Sequence, residues 1–127
     1  MTREQKRANL AYGAVKQLEG KDKAKDYGSM ALRFPALLRS AGLVQALAFV
    51  EARGKDAHRV FVRDFAAVLL ELEDGRKPNG EAFNKLFDRA RQASLPQYMR
   101  LTREALAVSD WFKRFAQSIL DAEHEGA

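Results

Sequence analysis

Arg100, Arg103 and Arg114 stand three and eleven residues apart near the end of the chain. In a helix these intervals are about one and three turns, so the three guanidinium groups share a face. Trp111 falls where that face meets an apolar arc. Guanidinium forks beside an aromatic ring suit a phosphate backbone and a stacked base. A second basic group, Lys16, Lys21, Lys23 and Lys25, crowds the first break in the helical pattern, with Asp22 and Asp26 among them. Both sets are candidate nucleic-acid contacts. A solvated surface is the competing reading, because Asp110 can pair with Arg114 one turn away. Arg59 with Arg63 and Lys85 with Arg89 are further basic pairs at helical spacing, read as solvated faces.

The residues of catalysis are sparse. There are two histidines, His58 and His124, and no cysteine, which excludes disulfides, cysteine-ligated zinc or iron–sulfur sites and thiol catalysis. No His-Glu-x-x-His motif, carboxylate cluster of metal spacing or Ser–His–Asp arrangement is visible. Gly75 and Gly80 bracket a loop of P-loop length, but Glu81 stands where the lysine belongs. No metal, cofactor or catalytic role is expected. A stand-alone helical DNA-binding regulator is an alternative: Leu43–Val50 and Ala57–Glu73 would form a helix-turn-helix with Arg59 and Arg63 reaching the bases.

Apolar periodicity places helices along the whole chain and leaves no strand. The first runs from Thr2 to about Leu18 and ends at Gly20. The second starts near Asp22, a plausible N-cap, with Tyr27, Met30, Phe34, Leu37 and Leu38 as its stripe and a kink or restart expected at Pro35. Leu43–Val50 is apolar nearly all round, which predicts a central buried helix. Ala57–Glu73 follows, capped by Asp56, then the loop Asp74–Gly80 and a helix over Glu81–Ala93. Ser94 and Gln97 form a capping box for the last helix, which reaches about Asp121 and is a rod of roughly 40 Å. Its apolar residues cover more than half its circumference, so either it is central or Leu101, Val108, Trp111 and Phe115 face another protein. The predicted core includes Leu37, Leu47, Phe49, Phe65, Phe87, Leu106 and Phe112.

The resulting fold class is all-α, a compact bundle of about five to seven helices with a long C-terminal helix. With 127 residues the chain suits a single domain over 1–127, and residues 122–127 are expected to be a disordered tail. The net charge of +5 is unevenly placed, since Met1–Asp64 carries 13 basic and 7 acidic residues while Asp121, Glu123 and Glu125 close the chain, so a basic domain with an acidic tip can meet a polyanion on one face. The N-terminus lacks the apolar stretch of a secretory signal and no run approaches the length of a membrane span, so a cytoplasmic protein without membrane contact is expected.

Two blocks carry a family resemblance. Tyr27–Phe49 holds a tyrosine, Phe34-Pro35, Gly42-Leu43 and Ala48-Phe49 in order. Tyr98–Leu106 holds a tyrosine, Thr102 and Glu104-Ala105-Leu106, followed by Trp111 and Lys113-Arg114-Phe115-Ala116. Together they resemble the small helical subunit family of the type III-B CRISPR (Cmr) RNA-targeting effector. The resemblance implies a non-catalytic subunit in antiviral defence that stacks as a filament beside the guide-RNA backbone subunits and lines the target-RNA groove, with RNA cleavage left to the backbone subunit. Its implied partners are those subunits, copies of itself, guide RNA and target RNA, with no small-molecule substrate. On that reading the candidate RNA contacts are Arg100, Arg103, Arg114, Lys16, Lys21, Lys23 and Lys25.

Overall fold

The computed structural model describes residues 1–53 and 55–123. Six helices follow in order: α1 (Arg3–Lys16), α2 (Ala24–Ala41), α3 (Leu43–Ala52), α4 (Asp56–Asp74), α5 (Ala82–Gln92) and α6 (Leu95–Ile119), with no strand among the described residues. Side-chain contacts fix their directions. Arg3 and Arg7 reach Glu104 while Tyr12 meets Phe115, so α1 and α6 run parallel. Tyr27 meets Phe61 and Phe34 meets Phe65, so α2 and α4 run parallel to each other. Arg39 pairs with Asp110 and Gly28 lies against Leu120, so this second pair runs opposite to the first. The four long helices enclose the core, and α3 and α5 pack against α4 at its margins.

The core centres on aromatic rings from three helices. Tyr27 and Phe34 of α2, Phe61 and Phe65 of α4 and Phe112 of α6 are each 0% exposed and meet mostly edge to face, with centroids 4.8–6.3 Å apart. Edge-to-face contact sets the positive rim of one ring against the negative face of the next, adding to the area buried. Helix α6 is flanked by α1, α2 and α4. Its broad apolar arc is therefore largely spent inside the chain, with Leu101, Ala105, Val108, Phe112 and Ala116 buried.

Local signals set the helix ends. Ser94 and Gln97 form the expected reciprocal capping box, and Thr2 and Gln5 form a second one that starts α1. The fourth helix begins one residue earlier than expected: Asp56 is its first helical residue and Lys55 its N-cap. Gly42, at φ 85°, breaks the chain between α2 and α3 in a conformation that L-residues resist. No side chain of its own caps α3. The Val44 amide donates instead to the Tyr98 hydroxyl at 3.1 Å, so a distant helix supplies the cap.

Three expectations need correction. Helix α2 runs through Pro35 without a restart, because Phe34, Pro35 itself and Leu38 are buried on the core face and tertiary packing outweighs the lost hydrogen bond. Helix α3 is not central: only Leu43, Ala46, Leu47 and Val50 are buried. Phe49 is 48% exposed and lies under the Arg53 guanidinium at 5.3 Å, on the solvent-facing side of a short helix. Of the other predicted core residues, Leu47, Phe65 and Phe112 are buried, while Leu37, Phe87 and Leu106 pack partly buried at the margin. Within the expected tail, Ala122 is packed against Gly28; residues 124–127, with His124, lie outside the described residues.

Candidate nucleic-acid interface

Five candidate contacts, Lys16, Lys21, Lys23, Lys25 and Arg114, gather at one end of the bundle. Lys16 closes α1, the three other lysines follow in the connection to α2 and its first turn, and the parallel course of α1 and α6 puts Arg114 at the same end. Lys21 and Lys25 line a cleft together with Asp22, Ser29 and the residues after α6, Leu120 to Glu123. Lys16 is held by Glu19 at 2.6 Å, and this bond raises its pKa. Among the described residues no ion pair holds Lys21, Lys23 or Lys25, and each is exposed.

The arginine face is divided. Arg114 stacks its guanidinium over Trp111 at 5.0 Å, and Trp111 stacks on Phe115 at 5.5 Å, which in turn meets the half-exposed Tyr12 edge to face. Arg100 and Arg103 lie eleven or more residues back along α6, at least about 16 Å away at 1.5 Å per residue. Arg103 is exposed and carries no ion pair among the described residues. Arg100 donates to Glu73 at 2.8 Å and so fastens α6 to α4. Asp110 pairs with Arg39 at 3.8 Å rather than with Arg114.

The expected protein-contact residues also divide. Leu101 is 2% and Val108 0% exposed, so both belong to the chain's own core and are unavailable to a neighbour. Trp111 and Phe115 are half-buried and keep part of their rings at the surface. The two arginines of the helix-turn-helix alternative are engaged as well. Arg59 donates to the Glu51 carbonyl at 3.2 Å and Arg63 to the Glu51 carboxylate at 3.1 Å, which ties α4 to α3 although Arg63 stays exposed.

Sequence reasoning missed the polar groups inside the fold. Glu104 is 6% exposed and accepts Arg3 Nε and Arg7 Nε, each at 2.6 Å; Arg3 also reaches Glu73 and the Leu72 carbonyl. Spacing gives no hint of this, since the partners lie about 100 residues apart. Asp64 accepts the Tyr27 hydroxyl at 2.8 Å, and burial raises its carboxyl to about 6 although that hydrogen bond works the other way. His58 is 2% exposed; burial first, then Arg53, Lys55 and Arg33, hold its pKa below the usual histidine value. No group of three or more potential metal ligands is present among the described residues. No helix among them is long and apolar enough to cross a membrane.

These features define an all-helical interaction module with a basic end, an aromatic ladder beside it and a core held by long-range ion pairs. The sequence matches the family described as CRISPR-associated protein (Cas_Cmr5) over residues 3–119. The chain belongs to the CRISPR-associated Cmr5 family. It is 44% identical over 120 residues to the CRISPR system Cmr subunit Cmr5 of Thermus thermophilus, covering 94% of this chain and 97% of that one. The crystal structure of a CRISPR-associated Cmr5 family protein from Thermus thermophilus superposes with a TM-score of 0.82 at 45% identity, over 94% of this chain and 97% of that one.

Proposed function

We propose that the chain is a non-catalytic small subunit of a type III-B CRISPR (Cmr) ribonucleoprotein effector. In this reading it stacks with copies of itself beside the backbone subunits that hold the guide RNA. Its basic end, Arg114 with Lys21, Lys23 and Lys25, lies along the groove that receives target RNA, and RNA cleavage belongs to a neighbouring subunit. The observation that carries the reading is the convergence, at one end of a Cmr5-family fold, of basic side chains that no ion pair holds among the described residues. Trp111 and Phe115, with Tyr12, are the surface offered to an adjoining subunit.

Phosphate contacts of this kind are sequence-independent and salt-sensitive. The test is reconstitution of the effector with Arg103→Ala/Arg114→Ala and with Lys21→Gln/Lys23→Gln/Lys25→Gln. Each variant that removes RNA contacts should assemble normally and lower target-RNA affinity, with a salt slope shallower by roughly one unit per lost contact. A variant that fails to assemble, with unchanged affinity per assembled complex, would place those side chains against protein. RNA cleavage by the purified chain alone would refute the non-catalytic assignment.

A further inference from the structure

The segment after α6 is built into the fold by Gly28. Asp121 takes a left-handed conformation, φ 53°, which turns the chain back, and the Ala122 amide donates to the Ala116 carbonyl at 3.1 Å. Ala122 then rests on Gly28, in the second turn of α2. A methyl group at residue 28 would stand 3.0 Å from the Ala122 Cβ and 3.7 Å from Leu120 Cδ1. Glycine inside a helix is unfavourable, and here it leaves room for the Ala122 and Leu120 side chains of the crossing segment. The crossing sets Asp121 and Glu123 at the rim of the cleft lined by Lys21 and Lys25. With Asp22, these residues give the cleft a net charge of minus one; without Asp121 and Glu123 it would be plus one. Among the described residues no ion pair forms across it within 4.0 Å, so the carboxylates set the field without tying down the ammonium groups.

We propose that Leu120–Glu123 is an acidic strap, latched on Gly28, whose charge opposes that of the exposed Lys21 and Lys25 towards the RNA phosphate backbone and which is displaced when RNA occupies the cleft. The inference rests on the reading that these lysines meet RNA. Displacement removes two negative charges from the rim at the moment phosphates arrive, so the strap biases the chain against RNA that cannot compete for the cleft.

The test is binding of fluorescein-labelled oligouridylate to the purified full chain across a salt series. Asp121→Asn/Glu123→Gln removes the charges, and Gly28→Met puts a side chain in the room that Leu120 and Ala122 fill while keeping every charge. Both should tighten binding severalfold and steepen the salt slope by roughly one to two units. Adding Lys21→Gln/Lys25→Gln should abolish the gain in each. A gain that survives the lysine substitutions is a general charge effect and overturns the proposal. If the strap variants change nothing while Lys21→Gln/Lys25→Gln weakens wild-type binding, the RNA reading stands and the strap falls. If the lysine substitutions have no effect in any background, this end is not an RNA contact and both fall. Circular dichroism on each variant checks that the helices are intact.

Discussion

Replacing Glu104 with alanine tests the account of the core most directly. Its carboxylate is 6% exposed and receives two charge-assisted bonds, from Arg3 and Arg7. Bonds to charged groups contribute about 1.5–3 kcal/mol each. The Arg3 side chain is 45% exposed and keeps Glu73 and the Leu72 carbonyl, so its loss is discounted to about 0–1 kcal/mol. The Arg7 side chain is 23% exposed and Glu104 is its hydrogen-bond partner, so most of its bond is lost. The sum is about 2–3 kcal/mol. At roughly 2.1 cal/mol/K per residue, a chain of 127 residues unfolds with an entropy near 270 cal/mol/K, so Tm should fall by about 7–11 °C. Thermal unfolding followed at the helical circular-dichroism band measures it. Glu104→Gln, which keeps an acceptor, should lose about half as much. A double-mutant cycle with Arg7→Ala should return a coupling of about 1.5 kcal/mol. A Glu104→Ala protein that melts within about 2 °C of the parent, or a coupling near zero, would refute the claim that this carboxylate joins α1 to α6.

Asp64 gives a pH signature. Its carboxyl is raised to about 6 in the folded chain against 3.8, so the native state binds the extra proton and stability falls as pH rises through that interval, then levels off above it. Asp64→Asn should remove this slope and leave the protein more stable than its parent at pH 8, as denaturant titrations at several pH values would show. His58 slopes the other way: its pKa is lowered, so its contribution is present above pH 6.5 and lost as pH falls, and His58→Gln should flatten that part of the profile. Phe61→Ala should cost about 3–5 kcal/mol because the ring is fully buried among four others. Phe49→Ala should cost under about 1 kcal/mol in the same denaturant assay, since half of that ring already faces water.

The all-helical class and most helix boundaries were legible because apolar spacing, glycines with positive φ and capping boxes act over a few residues, although α2 is N-capped by Lys23 and not by the expected Asp22. The error at Phe49 has the same source: a continuous apolar run reports composition, whereas burial depends on what packs against each side, and one side of α3 faces solvent. Pro35 shows tertiary packing overriding a local breaker. The arginine face illustrates the limit for sites. Helical spacing correctly put Arg100 and Arg103 on one side of α6, but it could not show Glu73 arriving from α4 to neutralise Arg100. Residues within the two family-like blocks also have structural tasks. Tyr98 caps α3, Gly28 seats Ala122 and Glu104 gathers two arginines.

The parallel pairing of the first and last helices also governs how the chain can be made. Helix α1 finds its ionic partner Glu104 about 100 residues downstream, and Tyr12 meets Phe115 only when nearly the whole sequence is present. Contacts so distant in sequence slow folding relative to bundles whose neighbours are adjacent along the chain. During synthesis the N-terminal helix therefore leaves the ribosome with its docking face uncovered, and the α2–α4 aromatic cluster waits for Phe112 to close it. The faces of α1, α2 and α4 that pack on α6 stay open until that last helix is made, so a chain that stops before it is left with exposed apolar surface prone to aggregate.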